Sequence, residues 1–186
     1  MEENIYDKLK DRIFGMISKE IGEKENILDL GCGDCELVLF LAQDLNRKVT
    51  GVDLDEKKFS PALKKANGKE IISRVRCIKG NVLDLSSFSG RSFEAVVSMY
   101  SLHEFHSAPG ALREAFRVLE EGGKIVIVDF VKGTLADRLW GEKYYTPERM
   151  HEMMEKAGFE DIIKPRLLSK EGPIIFTGIK KTVERK

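Results

Sequence analysis

The sequence has few cysteines, no excess of charge of either sign and no long apolar run. Three cysteines in 186 residues are an odd number, in a domain large enough to need no cross-links, which favours a reducing compartment over a disulfide framework. Basic and acidic residues both number 31, so the chain lacks the basic excess typical of nucleic-acid-binding proteins. No apolar run approaches the roughly 18 residues of a membrane span. We therefore expect a soluble cytoplasmic protein without nucleic-acid or membrane partners.

Short apolar runs alternate with helical stretches along most of the chain. Apolar residues at helical spacing predict a first helix over residues 4–21, in an N-terminal segment 1–22. Predicted strands cover residues 26–30, 48–53, 74–79, 93–99 and 124–130, and predicted helices cover 35–45, 60–66 and 108–119. Strictly alternating strands and helices predict a parallel sheet covered on both faces.

The C-terminal part departs from this alternation. Thr146 and Pro147 predict the start of a helix, and Gly158 predicts its end. The last two strands, residues 159–168 and 174–180, are joined by a connection too short for a crossover helix, so they should pair antiparallel.

These elements predict one α/β domain spanning residues 1–186. Its core, residues 26–180, is expected to be Rossmann-like, with a mostly parallel seven-stranded sheet, helices on both faces and an antiparallel C-terminal hairpin. There is no internal repeat and no linker that would divide the chain.

A Gly-x-Gly turn, Gly31 to Gly33, connects the first predicted strand to an amphipathic helix, which is typical of a ligand-binding loop. Asp53 ends the next strand, where an acid can bind both hydroxyls of a ribose. A dinucleotide loop needs a small residue at position 36, but Glu36 stands there and Asp34 precedes it, so carboxylates would repel a pyrophosphate. No Gly-Lys-Ser/Thr follows, which excludes a P-loop. The expected ligand carries a ribose and no phosphate at this loop.

Cys32 and Cys35 form a Cys-x-x-Cys pair, which is compatible with a redox site or half of a zinc site. Zinc would need two further ligands, and Cys77 lies in a predicted strand far along the chain, where it is expected to be a small core residue. Thioredoxin-like motifs lack the paired glycines and the downstream acid. We expect no metal, while a redox role of the pair stays open.

S-Adenosylmethionine (SAM) carries a ribose and a sulfonium cation, and the motifs of this chain resemble the class I SAM-dependent methyltransferases. The first motif of that family, Asp/Glu-x-Gly-x-Gly-x-Gly, is similar to DLGCGDC at residues 29–35, in which Cys35 replaces the last glycine. The second motif resembles GVDLD at residues 51–55, with Asp53 in the ribose-binding position.

The remaining motifs follow in the family's order. Its third motif, Gly-Asp-Ala, resembles residues 80–82, which gives Asn81 the contact with the adenine amino group; a register shift to Asp84 is the alternative. Residues 92–97 and 117–125 resemble the fourth strand and the turn before the fifth. The resemblance implies that SAM and its product S-adenosylhomocysteine (SAH) bind at Asp29, Gly31, Cys32, Gly33, Asp53, Leu54, Asn81, Val82 and Met99.

The segment after the fourth strand, MYSLHEFH, should lie beside the reactive methyl group. His103 and Tyr100 are the candidates to line the acceptor pocket or to act in catalysis, or they belong to an ordinary polar loop. The His-Glu-x-x-His spacing of zinc enzymes is absent. Farther along, Trp140, Tyr144 and Tyr145 either cover the acceptor or form a hydrophobic seal.

These features predict a methyltransferase for a small-molecule acceptor, because the chain is neutral and lacks the Asn/Asp-Pro-Pro-Tyr motif of many enzymes that methylate amino groups. Two alternatives remain. Cys35 and Asn81 depart from the motifs, as in a SAM-binding subunit that has lost catalysis. A nicotinamide oxidoreductase is disfavoured by Asp34 and Glu36. The sequence does not specify the accepting atom or the oligomeric state.

Overall fold

The computed structural model describes residues 5–43, 47–59, 63–64, 70–167 and 172–182. The strands in these ranges are β1 (Asn26–Leu30), β2 (Lys48–Asp53), β3 (Val75–Lys79), β4 (Phe93–Met99), β5 (Leu119–Asp129), β6 (Glu160–Leu167) and β7 (Ile174–Ile179). They form a seven-stranded sheet in the order β3-β2-β1-β4-β5-β7-β6. Strands β1 to β5 pair in parallel, and β7 runs antiparallel to both β5 and β6. The predicted sheet and its antiparallel hairpin are confirmed.

Helices cover both faces of the sheet. They are α1 (Ile5–Ile21), α2 (Glu36–Gln43), α3 (Ala108–Val118), α4 (Leu135–Trp140) and α5 (Pro147–Ala157). Helices α1 and α2 bury residues such as Ile17 and Leu41 against one face, while α3 and α5 bury residues such as Leu112 and Met153 against the other. In the described ranges, no helix combines the length and the apolar character that crossing a bilayer requires.

The capping residues of α5 explain its length. The side chain of Thr146 accepts a hydrogen bond from the amide of Arg149, and Pro147 occupies the first turn, where its missing N–H costs nothing. Gly158 ends the helix with a φ of 105°, a conformation that glycine adopts without steric cost. The helix boundaries predicted from these residues are confirmed.

The order of the strands reverses around β1. Strand β2 lies on one side of β1 and β4 lies on the other, so the chain leaves β1 toward one edge of the sheet and later returns to its other side. In open α/β sheets such a reversal opens a crevice at the carboxyl ends of the strands. The segments that follow β1, β2 and β4 meet at this crevice.

Two elements differ from the prediction, and a third lies mostly outside the residues that the structure describes. Strand β5 starts at Leu119, directly after α3, because Gly122 adopts a φ of 75° within a register shift and the strand continues through the glycine pair. Helix α4 was not predicted, since six residues are too few to show a helical period. The helix predicted over residues 60–66 lies mostly outside the described residues.

Candidate functional site

The loop after β1 lies at the crevice and is held by hydrogen bonds to β2. The amides of Gly31 and Cys32 donate to the carbonyl oxygen of Val52, at 2.8 and 3.1 Å. The amide of Gly33 donates to Oδ2 of Asp53 at 2.9 Å. Both glycines have a positive φ, 72° and 51°, which a residue with a Cβ adopts only with strain. The Gly-x-Gly motif therefore forms a tight turn that faces the end of β2.

A cavity of about 650 Å³ opens beside this loop, within the size range of small-molecule sites. The predicted cofactor residues along its wall are Gly31, Cys32, Gly33, Asp53, Leu54, Asn81, Val82 and Met99. A smaller cavity of about 210 Å³ shares part of this wall and adds Asp29. The fold thus brings every residue predicted for the cofactor to one edge of the sheet.

Asp29 is a buried carboxylic acid on the wall of the smaller cavity. Its side chain is 2% exposed, and no group in the described part of the chain donates a hydrogen bond to its Oδ1. Burial, followed by the charges of Asp53 and Asp34, raises the pKa of Asp29 to about 8. A cation placed beside this carboxyl would remove the penalty that burial imposes.

Asp53 already accepts hydrogen bonds from the loops that surround it. Its Oδ1 accepts a hydrogen bond from the amide of Asp55 at 3.0 Å, while its Oδ2 accepts the bond from Gly33 described above. A carboxylate offers about four acceptor positions. The half-buried Asp53 side chain therefore retains acceptor capacity toward the cavity that it lines.

Asn81 lies at the cavity wall after β3. Its Oδ1 accepts a hydrogen bond from the amide of Leu83 at 3.0 Å, which fixes the orientation of the amide group. Asp84, the alternative at this motif, is not among the residues that line either cavity, and its Oδ1 accepts from the amide of Ser86. The geometry favours the register with Asn81.

The first helix both covers the sheet and borders the smaller cavity. Ile13 and Ile17 of α1 are buried in the core, whereas Lys10 and Phe14 line the cavity. The Lys10 ammonium donates a hydrogen bond to Glu36 at 2.5 Å, which links α1 to the start of α2. The sequence permits either role for this helix, closure over the cofactor or coverage of the sheet, and favours coverage of the sheet.

His103 forms a buried pair with Asp129 at the end of β5. The distance between His103 Nδ1 and Asp129 Oδ1 is 2.7 Å, and the amide of His103 donates to Oδ2 at 3.1 Å. Burial lowers the pKa of His103, but the hydrogen bond and charge of Asp129 outweigh it, so the pKa is raised above 6.5. The two side chains form a histidine–carboxylate pair of the kind that orients a general base.

Four aromatic residues, Tyr100, Phe130, Trp140 and Tyr144, form a cluster that extends from the cavity wall to the ring of His103. Tyr100 lines both cavities, and its ring stacks on Phe130 with centroids 5.0 Å apart. Phe130 also contacts Trp140 and Tyr144, and the Tyr144 ring lies 4.7 Å from the His103 ring. His103 itself lines neither cavity, and Tyr144 packs against its ring.

Tyr145 and Tyr100 differ in character. Tyr145 pairs with Val131 through a backbone bridge, so its role is at least partly structural. Burial, followed by the charge of Asp129, raises the pKa of the Tyr100 phenol, which keeps this group protonated at neutral pH. Tyr100 is positioned as a wall residue whose phenol retains its proton.

Cys35 and Cys77 form a disulfide that links the loop after β1 to β3. The Cys32 thiol lies 3.8 Å from the Cys35 sulfur, and all three sulfur atoms lie within 4.8 Å of one another. The expectation of unbonded cysteines and the prediction that Cys77 is merely a core residue are wrong. Cys77 is far from Cys35 along the chain, but the sheet places β3 beside β2 and therefore close to the loop after β1.

Asp129 is the functional residue that sequence reasoning missed. It ends an apolar strand at the carboxyl edge of the sheet, as Asp53 does. That position is a signal for a site residue, but the predicted strand continued through it to residue 130. The local sequence could not show which basic residue pairs with Asp129, because His103 follows β4 whereas Asp129 ends β5.

The chemistry of the two adjoining cavities fits SAM. The buried carboxyl of Asp29 matches a cationic amino group, and Asp53 matches the hydroxyls of a ribose. Leu54 is 69% exposed at the cavity and, with Val82, offers an apolar surface to an adenine ring. A dinucleotide would bring its pyrophosphate to Asp34, which lines both cavities, so the charges disfavour that ligand.

Comparison with known families and proteins agrees with this chemistry. Residues 27–123 match a family model described as a methyltransferase domain. The 27-O-demethylrifamycin SV methyltransferase of Amycolatopsis mediterranei is 31% identical over 124 residues, covering 67% of this chain and 44% of that protein. The chain thus aligns with less than half of the length of this relative.

Two solved structures share the fold. The [4+2]-cyclase SpnF superposes with a TM-score of 0.84 at 21% identity, covering 95% of this chain and 83% of that one. Phosphoethanolamine N-methyltransferase 2 of Haemonchus contortus, in complex with SAM, gives a TM-score of 0.77 at 18% identity, covering 92% of this chain and 53% of that one. At these identities the likeness concerns the fold alone, and a cyclase shares it.

Proposed function

The chain belongs to the family of methyltransferase domains, and we propose that it transfers the methyl group of SAM to a hydroxyl group of a small-molecule acceptor. The observation that carries the proposal is the buried Asp29 carboxyl, whose Oδ1 receives no hydrogen bond from the described residues and which lies beside Asp53 at the crevice. This arrangement is costly without a cationic ligand and favourable with one.

The proposed cofactor contacts follow from the groups that line the two cavities. Asp29 would accept hydrogen bonds from the amino group of SAM, Asp53 would accept them from the ribose, and Asn81 and Leu54 would face the adenine. The bound cofactor supplies an electrophilic methyl group on a sulfonium whose departure as a neutral thioether needs no acid. The protein then has to position the acceptor and exclude water, and orientation can supply on the order of 7–11 kcal/mol of the barrier.

A hydroxyl acceptor is supported by the His103–Asp129 pair. A hydroxyl must lose its proton as the oxygen attacks, and a neutral imidazole held by a carboxylate is suited to accept that proton. Asp129 would act as a positioning residue, because its bonds to Nδ1 and to the His103 amide leave Nε2 to act as the base. The name of the Amycolatopsis relative, which denotes an O-demethylated substrate, also supports an oxygen acceptor.

The acceptor would enter on the side of the aromatic cluster. His103 is 6% exposed and Tyr144 packs against its ring, so the side chains around the imidazole, Tyr144 among them, would have to move to admit the acceptor. The rings of Tyr100 and Phe130 would then form an apolar wall that keeps water from the reacting atoms. We further propose that the protein acts in the cytoplasm, without a metal and without a nucleic-acid partner.

The test is transfer of a labelled methyl group from SAM to a panel of small phenols, alcohols and quinols. Replacing His103 with Gln should lower kcat by about 10²–10⁴-fold, with unchanged affinity for SAH because His103 does not line either cavity. In the native protein, kcat should rise with pH through a pKa above 6.5, as His103 loses its proton.

His151→Gln is the matched control, since His151 belongs to α5 and lines neither cavity, so it has no part in the proposed proton transfer. Equal loss in both variants would contradict the role of His103. Transfer to amines or carbon only, with no effect of pH, would exclude the hydroxyl acceptor. SAH binding without turnover of any acceptor would favour the alternative, a catalytically inactive SAM-binding subunit.

A further inference from the structure

Three sulfur atoms meet under the cofactor loop, although they come from two distant parts of the sequence. Cys32 and Cys35 belong to the loop after β1, and Cys77 belongs to β3, the edge strand of the sheet. Cys32 and Cys35 are buried, whereas Cys77 is half-buried. Two of the sulfurs are bonded as a disulfide, and the third lies 3.8 Å from Cys35.

We propose that Cys32, Cys35 and Cys77 form a thiol–disulfide exchange site that controls the conformation of the cofactor loop. In the resting form Cys35 is bonded to Cys77, and the Cys32 thiol is the internal exchange partner. A change in sulfur bonding would act directly on the cofactor loop, because two of the three sulfurs lie within five residues of Gly31.

The exchange step is balanced without an external oxidant. The Cys32 thiol loses its proton, and its sulfur attacks the Cys35 sulfur. The Cys35–Cys77 bond breaks, a Cys32–Cys35 bond forms, and the Cys77 sulfur leaves and takes up a proton. With an external dithiol, the reagent is oxidised to its own disulfide and both Cys35 and Cys77 become thiols.

Exchange has to move the cofactor loop. The Cys32 side chain lies against Gly51, where an added Cβ would be only 2.6 Å from the Cys32 sulfur. The sulfurs of Cys32 and Cys35 must approach from 3.8 Å to a bonding distance of about 2.05 Å. Because Cys32 lines both cavities, this movement changes the wall on which the cofactor would lie.

The resting disulfide also restrains a strained residue. Cys35 adopts a φ of 66°, at the position where the methyltransferase motif has its last glycine. A residue with a Cβ is strained in this conformation, and the bond to Cys77 holds it there. Reduction removes this restraint and leaves the hydrogen bonds to β2 to hold the loop, so ligand binding then has to order the loop further.

Exchange is slow in the resting protein. Burial, followed by the charges of Asp29 and Asp53, raises the pKa of the Cys32 thiol, and the thiolate is the attacking species. The cavity and the half-buried position of Cys77 still give small reagents a route to the site. The Cys35–Cys77 form is therefore the one that persists until a thiol reagent acts.

The experiment uses the full chain in an oxidised form, prepared with oxidised glutathione, and in a form reduced with dithiothreitol. Free thiols are alkylated under non-reducing, denaturing conditions, and the linked peptides are identified by mass spectrometry. The native protein should yield the Cys35–Cys77 link with a minor Cys32–Cys35 link. Oxidised Cys77→Ser, which lacks the resting partner, should yield the Cys32–Cys35 link.

Calorimetry with SAH then measures the effect on the loop, and this part alone rests on the proposed function. The oxidised native protein should bind SAH about three- to tenfold more tightly than the reduced protein, since ordering the loop costs conformational entropy. Reduced Cys77→Ser should match the reduced native protein, and oxidised Cys77→Ser should bind more weakly than both.

Each outcome decides a separate point. Three alkylated thiols after oxidation, or no Cys32–Cys35 link in Cys77→Ser, would overturn the exchange site. A disulfide that leaves SAH affinity unchanged would overturn control of the loop while leaving the proposed function intact. Absence of SAH binding in every form would contradict the proposed function, and the peptide mapping would still decide the exchange site.

Discussion

At the scale of single residues, the site contains two buried aspartates with opposite surroundings. Asp129 accepts hydrogen bonds from the amides of His103 and Phe130 and is paired with the His103 ring. Asp29 is equally buried, but within the described residues no donor reaches its Oδ1. Asp129 therefore has its partners within the protein, whereas Asp29 keeps an oxygen without one among the described residues, which suits the cationic ligand proposed above.

Replacing Asp29 with Asn should stabilise the ligand-free protein and weaken SAH binding. The variant removes a carboxyl whose ionisation burial opposes, and the gain in the free energy of unfolding should be about 1–3 kcal/mol at pH 8. Thermal unfolding, with and without SAH, measures both effects. The same substitution at Asp129 should instead destabilise the protein by about 1.5–3 kcal/mol, because it removes charge-assisted hydrogen bonds.

The Asp29→Asn effect should depend on pH in a defined direction. The carboxyl ionises near 3.8 in the unfolded chain and at about 8 in the folded protein, so the folded state retains the proton between these values. Retention of this proton favours the folded state of the native protein, and that contribution to the free energy of unfolding is lost as pH rises from about 4 to about 8. The two proteins should be equally stable near pH 4 and differ most at pH 8; a constant difference would contradict the assignment to Asp29.

At the scale of elements, the loop after β1 depends on close contact with the turn after β4. A Cβ added to Gly31 would lie 2.5 Å from the Ser101 Cβ, whereas a Cβ at Gly33 would meet no atom within 4 Å. Both glycines have a positive φ. The sequence shows two similar glycines, but only the fold shows that one of them touches another element.

Gly31→Ala should destabilise the protein by about 2–5 kcal/mol, the sum of left-handed strain and overpacking, and should abolish SAH binding. Gly33→Ala, the matched control, should lose only about 1–2 kcal/mol, because it adds strain without a clash. Chemical denaturation of both variants measures the difference. Equal losses would mean that the Ser101 contact does not constrain the loop.

At the scale of the whole molecule, ligand binding and stability are coupled, because the cavity is built from segments of several strands. SAH at about one hundred times its dissociation constant should stabilise the folded protein by roughly 2.7 kcal/mol. For a chain of this size, that corresponds to a rise in melting temperature of about 5–10 °C. NADH at the same concentration should give no rise, since Asp34 and Glu36 oppose its pyrophosphate; stabilisation by NADH alone would favour an oxidoreductase.

Much of the fold and of the cofactor site followed from local patterns. The caps of α5, the alternation of strands and helices and the Gly-x-Gly turn act through nearest neighbours, so the sequence carries them directly. Helix α4 is too short for its period to show. The start of β5 depended on Gly122, whose conformation is set by pairing with a neighbouring strand rather than by its own segment.

The sequence by itself determined the class of fold, the position of the ligand loop and the acids that favour a ribose over a pyrophosphate, because these depend on spacing and side-chain chemistry. Only the tertiary structure paired His103 with Asp129, packed Tyr144 against the His103 ring and joined Cys35 to Cys77. Each of these contacts links different strands or loops of the sheet. Their formation depends on strand order and register, which no local stretch of the sequence specifies.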